Sequence, residues 1–281
     1  MTNVKVITDS SCDLPVEIRD KAGITVVPLF IRFDDEEFID GVNLSTEDFW
    51  RRTKEASVLP ATAAPAPGAF AEAFQNAHAE GHSSVLCITL ASKLSGTYQS
   101  AVTAAAMVKD EIEVRVLDSE TVTVALGSLC LEASERASTG ASLDEVVGAV
   151  VALQKRQHIF GTLDTLENLR KGGRIGAAGA FFASILSVKP TISIEGGEVK
   201  PKAKNRTRSK ALAHLAKLVT EQGPIDHVGV SHGDAEDVDE FLELLRPVVS
   251  PSDVLLAQIG PVIGTHGGPR LMAVSFAVSD D

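Results

Sequence analysis

The chain has 281 residues, 44% of them hydrophobic, enough for one large or two modest domains around a substantial core. Its formal net charge of −12 disfavours general nucleic-acid binding, and no apolar run reaches the roughly 20 residues of a membrane span. Cys12, Cys87 and Cys130 are odd in number and lack CxxC spacing, which suits a reducing cytoplasm and neither a disulfide framework nor a zinc site. The first residues lack the basic-then-apolar layout of a signal peptide, so a cytoplasmic protein is expected.

Residues 4–8 form a short apolar run closed by Asp9, the pattern of a buried parallel strand. A helix is expected after Pro15, then a strand from Ile24 to Ile31 entering a hairpin whose turn is Asp34-Asp35-Glu36-Glu37. Ser45-Thr46-Glu47-Asp48 has the form of a capping box opening a helix through Trp50. Residues 58–67 read as a Pro-broken loop, followed by a helix with Phe70 and Phe74 on one face. Strands at 85–90 and 114–117 each lead into a helix, and Ser142 caps another helix reaching about Gln157. This alternation of strand and helix indicates a parallel α/β sheet.

Beyond Phe160 the pattern changes. Gly196-Gly197 separates two strand-like runs as a hairpin turn does. Helices at 209–220 and 236–245 and strands at 228–231, 254–259 and 271–278 suggest an α+β unit with an antiparallel or mixed sheet. The expected organisation is an N-terminal α/β domain, residues 1–158, and a C-terminal α+β domain, residues 159–281. A ligand would lie between them.

Charge is uneven along the chain. Residues 170–210 carry ten basic and two acidic side chains, a local +8 that leaves −20 for the rest. Such an island suits an anionic ligand or an acidic partner, and equally a solvated face. Within it, Arg174 follows the Gly172-Gly173 pair and could swing over a ligand, and Arg206 and Arg208 precede a helix. Three loops fall at the carboxyl ends of the expected parallel strands: Asp9-Ser10-Ser11, residues 92–97, and Asp118-Ser119. The segment Ser95-Gly96-Thr97 puts two hydroxyls and unpaired backbone N–H groups at a helix N-terminus, where phosphate or carboxylate binds well; an ordinary serine cap has the same pattern. Thr62 lies in a loop of the surface type that often carries function. The stretch Gly260-Pro261-Val262-Ile263-Gly264-Thr265-His266-Gly267-Gly268-Pro269 reads as a tight turn whose one titratable group is His266. The other histidines show no metal-ligand spacing. Walker A, strand-borne GxGxxG, Gly-x-Ser-x-Gly and HExxH motifs are absent. Ser95 and His266 could still act as nucleophile and base of a hydrolase or transferase, although the strained elbow and an orienting carboxylate are missing.

Taken together, residues 8–15, 62–65, 92–97, 163–166, 172–175, 189–190, 206–208 and 260–269 resemble, in order and over nearly the whole chain, the DegV family of bacterial fatty-acid-binding proteins. The resemblance implies a two-domain carrier that holds one long-chain fatty acid and needs no other cofactor. It further implies a separate fatty acid kinase subunit, to which the acyl carboxylate is presented for acyl phosphate formation. By position, Thr62 and Ser95, with Gly96 and Thr97 in the same loop, would hold the carboxylate. Arg174, Arg206 and His266 would be the cationic groups near the head group and the kinase-facing surface. Two departures stand out: Gly267-Gly268-Pro269-Arg270 replaces the family's usual Thr-Gly-Pro-Gly, and Ala91-Ser92 its usual Ser-Ser. An acyl chain would contribute about 0.8 kcal/mol per buried CH₂ and so dominate affinity. Residues 180–186, rich in Phe, Ile and Leu, suit a helix lining its path or a plain core segment. Beside the carrier reading stand the Ser95/His266 hydrolase and a lipid-responsive regulator.

Overall fold

The computed structural model describes residues 3–56, 58–180 and 188–279. The N-terminal half is built on four parallel strands, β1 (Val4–Asp9), β2 (Thr25–Val27), β6 (Ser84–Thr89) and β7 (Glu113–Asp118), in the order β2-β1-β6-β7. Every residue of β6 is buried, as a strand covered on both faces requires. Successive side chains alternate between the faces. Val85 and Cys87 pack with Phe70 and Phe74 of α3 (Pro67–Ala79) and Ala101 and Ala104 of α4 (Thr97–Met107). Leu86 and Ile88 pack on the other side, with Leu126 and Leu129 of α5 (Thr123–Ser138) and Val146 and Val150 of α6 (Leu143–Arg156). Helix α6 begins with a reciprocal capping box between Ser142 and Glu145, and α1 (Val16–Lys21) follows Pro15 as expected.

Two expectations fail here for backbone reasons. The run from Ile24 to Ile31 is not one strand. Pro28, which has no N–H to give a ladder, separates β2 from β3 (Phe30–Phe33), and Leu29 instead donates its N–H to Ser10 Oγ at 3.1 Å. Strand β3 joins a second, antiparallel sheet with β4 (Glu36–Ile39) and β5 (Ala61–Ala63). Thr62 is therefore not in an irregular loop. It is the middle residue of β5, in register with Ile31. The expected hairpin forms, but its turn is only Asp34-Asp35, with Glu36 and Glu37 already paired in β4; the helix α2 (Thr46–Glu55), capped by Ser45 at the Asp48 N–H, forms as expected.

The C-terminal sheet has six strands: β8 (Gln157–Thr162), β9 (Lys189–Glu195), β10 (Glu198–Asn205), β11 (Ile225–His232), β12 (Leu255–Gln258) and β13 (Met272–Val278). Their order is β10-β9-β8-β13-β11-β12, antiparallel except for the β11–β12 pair. The Gly196-Gly197 turn has positive φ at both residues, 55° and 75°, which glycine supplies without a Cβ clash. Phe160, Met272, Val274 and Phe276 pack under α8 (Arg208–Thr220) and α9 (Val238–Leu245). The opposite face, with Ile159 and Ile192, meets the cores of the N-terminal half. The architecture is thus α/β, with a parallel sheet followed by a separate mixed sheet. Of residues 180–186, read above as a path-lining segment, all but Ala180 fall outside the described residues.

Residues 260–269 are a third correction. They form not a turn but a short helix, α10 (Pro261–Gly267), with Pro261 at its first position and Gly268, at φ 78°, ending it. The reason is tertiary. Gly264 lies against Phe49 and Trp50, where a Cβ would stand 2.7 Å from Phe49 Cε1 and 2.8 Å from Trp50 Cζ2. Both rings are fully buried and cannot retreat. Gly264→Ala should therefore destabilise the protein by about 1–2 kcal/mol, overpacking outweighing the better helix propensity of alanine. Urea unfolding checks this; a variant at least as stable as the parent would show that the contact yields.

Candidate functional site

Between the inner face of the six-stranded sheet and the carboxyl edge of the parallel sheet lies a cavity of about 810 Å³, counting its open mouth. That edge is where open α/β sheets bind ligands. Its walls are mainly aliphatic, including Leu29, Leu90, Leu94, Ile192, Val262 and Leu271. Four polar side chains gather at one end: Thr62, Ser95, Arg174 and His266. Two shallower recesses open outside them. One is lined by Val58, Leu59, Pro60, Lys171 and Gly172, the other by Lys93, Tyr98, Gln99 and Gly173, and Arg174 borders both.

Thr62 and His266 come from segments far apart in the chain and meet at 2.9 Å, Thr62 Oγ1 to His266 Nε2. The other ring nitrogen, Nδ1, is buried and has no hydrogen-bond partner among the described residues. A buried N–H left without an acceptor costs about 1–3 kcal/mol, whereas a bare lone pair costs less. The proton therefore belongs on Nε2, which donates to Thr62 Oγ1. The threonine hydroxyl hydrogen is then free to point at a ligand. Burial, and then the neighbouring Arg174 guanidinium, push the His266 pKa down to about 4. At neutral pH this imidazole is neutral, so the expectation of a cation at 266 is not met. The site's positive charge is Arg174.

Arg174 does not swing freely. Its Nε donates to Leu94 O at 3.0 Å and its Nη1 to Gly172 O at 2.6 Å, bridging the two halves of the chain. The Gly172-Gly173 pair, read as flexible, serves at Gly172 as clearance: a Cβ there would sit 2.3 Å from His266 Nδ1. Ser95 Oγ pairs with Thr97 Oγ1 at 2.8 Å and accepts the Thr97 N–H at 3.3 Å. Thr97 is itself buried behind it, and Gly96 borders the outer recess rather than the cavity. Arg206 is exposed and lines none of these spaces. Ser95 and His266 are each engaged with a threonine and not with one another, and among the described residues no carboxylate meets Nδ1. The nucleophile-base pair of a hydrolase is not assembled. Among the described residues no group of His, Cys, Asp and Glu side chains could hold a metal ion, and no helix is long and apolar enough to cross a membrane.

Several supporting residues escaped the sequence reading. Trp50 Nε1 donates to Ile259 O at 2.9 Å, Asn168 Nδ2 to Thr265 O at 3.1 Å, and the Gly260 N–H to Asp13 Oδ1 at 3.0 Å. All three seat α10, and their partners are backbone atoms hundreds or tens of residues away that carry no local signal. Asp9 accepts from the Ser11 N–H and hydroxyl and from the Leu90 N–H. Asp9 thus ties the end of β1 to the residue following β6.

An α/β chain enclosing an apolar cavity with hydroxyls and an arginine at its mouth defines a ligand-binding class. Comparison identifies the family. The model of the DegV family, COG1307, described as an uncharacterised protein, matches residues 3–279. The chain belongs to the DegV family. A DegV domain-containing protein of Streptomyces coelicolor is 35% identical over 97% of this chain and 97% of its own. A DegV family protein from Thermus thermophilus, whose structure is described by its fatty acid binding, superposes with a TM-score of 0.91 at 28% identity, covering 99% of this chain and all of that one. A stearic-acid-binding protein of Eubacterium ventriosum superposes with a TM-score of 0.89 at 26% identity, covering 99% and 98%.

The state of His266 makes a prediction about pH. Its pKa falls from 6.5 when unfolded to about 4 when folded, so the unfolded chain binds the extra proton between those values. Its contribution is present above about 6.5 and lost as pH falls towards 4. The stability gap between the parent and His266→Gln should shrink over that window by on the order of 3 kcal/mol. Urea titrations at pH 7, 5.5 and 4 measure it; a gap that widens on acidification would contradict a buried neutral imidazole.

Proposed function

We propose that this protein is a non-catalytic carrier of one long-chain fatty acid, held with its carboxylate at Thr62 and Ser95 and its chain along the aliphatic cavity. The observation that carries this reading is the gathering of two hydroxyls, a neutral imidazole and one arginine at a single end of a mainly apolar space. A carboxylate there gains charge-assisted hydrogen bonds of roughly 1.5–3 kcal/mol each. Ten buried methylenes would add about 8 kcal/mol, so the chain supplies most of the affinity and the head sets orientation. The fatty-acid-binding relatives from Thermus thermophilus and Eubacterium ventriosum support the same ligand class. We take the two units that enclose the ligand to divide at residues 158 and 159, just inside β8, the strand that follows α6. The finer proposal is that the bound acid is presented to a separate fatty acid kinase, in the cytoplasm, with the recesses beside Arg174 as the approach to its carboxylate.

Native mass spectrometry of protein purified from a bacterial host should show one fatty acid per chain, recoverable by denaturing extraction. Protein that is consistently empty, and that fails to bind added oleate or palmitate, would overturn the carrier reading. Thr62→Ala and Ser95→Ala should each weaken fatty-acid binding by about 1–3 kcal/mol, and the double variant should fall short of additivity because both hydroxyls serve one carboxylate. Wild-type affinity in both single variants would place the head group elsewhere.

The arginines separate binding from transfer. Arg174 borders the cavity, whereas Arg206 lies outside it. Arg206→Ala should keep fatty-acid affinity and lose most acyl phosphate formation when kinase, ATP and Mg²⁺ are added. Much of the basic island is matched locally: Lys171, Lys189, Lys200, Lys202 and Arg208 pair with Glu167, Asp164, Glu198, Glu195 and Asp237. The salt dependence of transfer should therefore be shallower than ten basic residues suggest. An Arg206→Ala protein that transfers at the parent rate would assign that residue to the surface alone.

A further inference from the structure

The apolar cavity does not end against a closed sheet. Strand β9 pairs with β8 only from Phe160↔Ser193 to Thr162↔Thr191. Yet β8 begins at Gln157 and β9 runs on to Glu195. Each keeps its other neighbour over that stretch, β8 on β13 as far as Gln157 and β9 on β10 as far as Glu195. The sheet is therefore split between two of its central strands rather than frayed at an edge. The split lies at the end of the cavity away from the head group. Leu271, which packs on Gly267 beside His266, adjoins the Thr162 end of β8, and Ile159 lies about 10 Å back along the strand at 3.3 Å per residue.

Ile159, Phe160, Ser193 and Ile194 flank the split, and they line both the apolar cavity and a second cavity beyond it. The second space measures about 660 Å³, counting its open side. Its remaining walls are polar, among them Thr121, Gln154, Gln157 and His158. The two amides are anchored, Gln154 donating to Asp118 O at 3.0 Å and Gln157 to Ala125 O at 2.9 Å. Thr121 is 5% exposed, and its Oγ1 has no hydrogen-bond partner among the described residues. A buried hydroxyl left unpaired beside a cavity is a group waiting for a ligand or water.

We infer that the acyl site continues through the β8–β9 split into this polar chamber, and that it accepts long acyl chains bearing a hydroxyl at the tail. The inference rests on the fatty-acid reading above. Methylenes would fill the apolar cavity and the tail hydroxyl would bond Thr121. In a cavity closed by aliphatic side chains the same hydroxyl would lose its hydrogen bonds and the ligand would be rejected. Glu120 and Glu195 on the chamber wall favour a neutral tail over a second carboxylate.

The test compares hexadecanoate with 16-hydroxyhexadecanoate on the delipidated full chain, in the parent and in Thr121→Val. The parent should bind the two acids within fivefold of each other. Thr121→Val should keep its hexadecanoate affinity and weaken at least fivefold for the hydroxy acid. A parent that discriminates more than fivefold against the hydroxy acid overturns the inference and leaves the carrier reading intact. So does a Thr121→Val protein that treats both acids as the parent does. Failure of the parent to bind hexadecanoate removes the carrier reading and this inference with it. Should Thr121→Val lose both acids through misfolding, Thr121→Ser, which keeps the hydroxyl, must still bind both within fivefold.

Discussion

The seating of one short helix governs the site. Pro261–Gly267 has seven residues and would not persist alone in water. It is held by contacts from three other parts of the chain: Asp13 at the Gly260 N–H, Asn168 at Thr265 O, and α2, through Trp50 at Ile259 O and the Phe49 and Trp50 rings against Gly264. Only when all are in place does His266 reach Thr62, and only then is the threonine hydroxyl turned towards the cavity. The glycines are the price of this approach, since a Cβ at 172, 264 or 267 would fall under 3.0 Å from a neighbour.

Electrostatics at the site follows from burial. His266 loses its charge because an imidazolium would be desolvated beside Arg174. The opposite happens behind the site, where burial raises Asp9 to about 6, Asp40 to about 7 and Asp13 well above the usual carboxylate range, each partly offset by hydrogen bonds. Asp9 and Asp13 hold backbone N–H groups of Ser11, Leu90 and Gly260. Arg174 is then the one permanent cation among the polar groups at the cavity mouth, held by carbonyl oxygens at Leu94 and Gly172 rather than by a carboxylate that would compete with a ligand.

Much of the frame was legible because its signals are local. Apolar runs ended by Asp9 and by residues 89–91, the Ser142 capping box and the Gly196-Gly197 turn each encode their own conformation within a few residues, and each formed. The strand–helix alternation was enough to place residues 92–97 at a sheet edge, and Ser95 does line the cavity there. Where a local signal had two outcomes the reading failed. Pro28 cut one apolar run into strands of two sheets, and a Gly/Pro-rich stretch that resembles a turn became α10 because aromatic rings from α2 accept it.

The sequence by itself determined the α/β order of elements, the parallel first sheet, the hydroxyl-bearing loops and, through its ordered motifs, the family. Tertiary structure alone decided which of those residues form one site. It joined Thr62 to His266 across 204 positions and bent Arg174 back to Leu94. It left Arg206 on the surface and split β8 from β9. The physical reason is that hydrogen bonding and periodicity act over a few residues, whereas charge state, clearance and cavity shape depend on which distant atoms burial brings together.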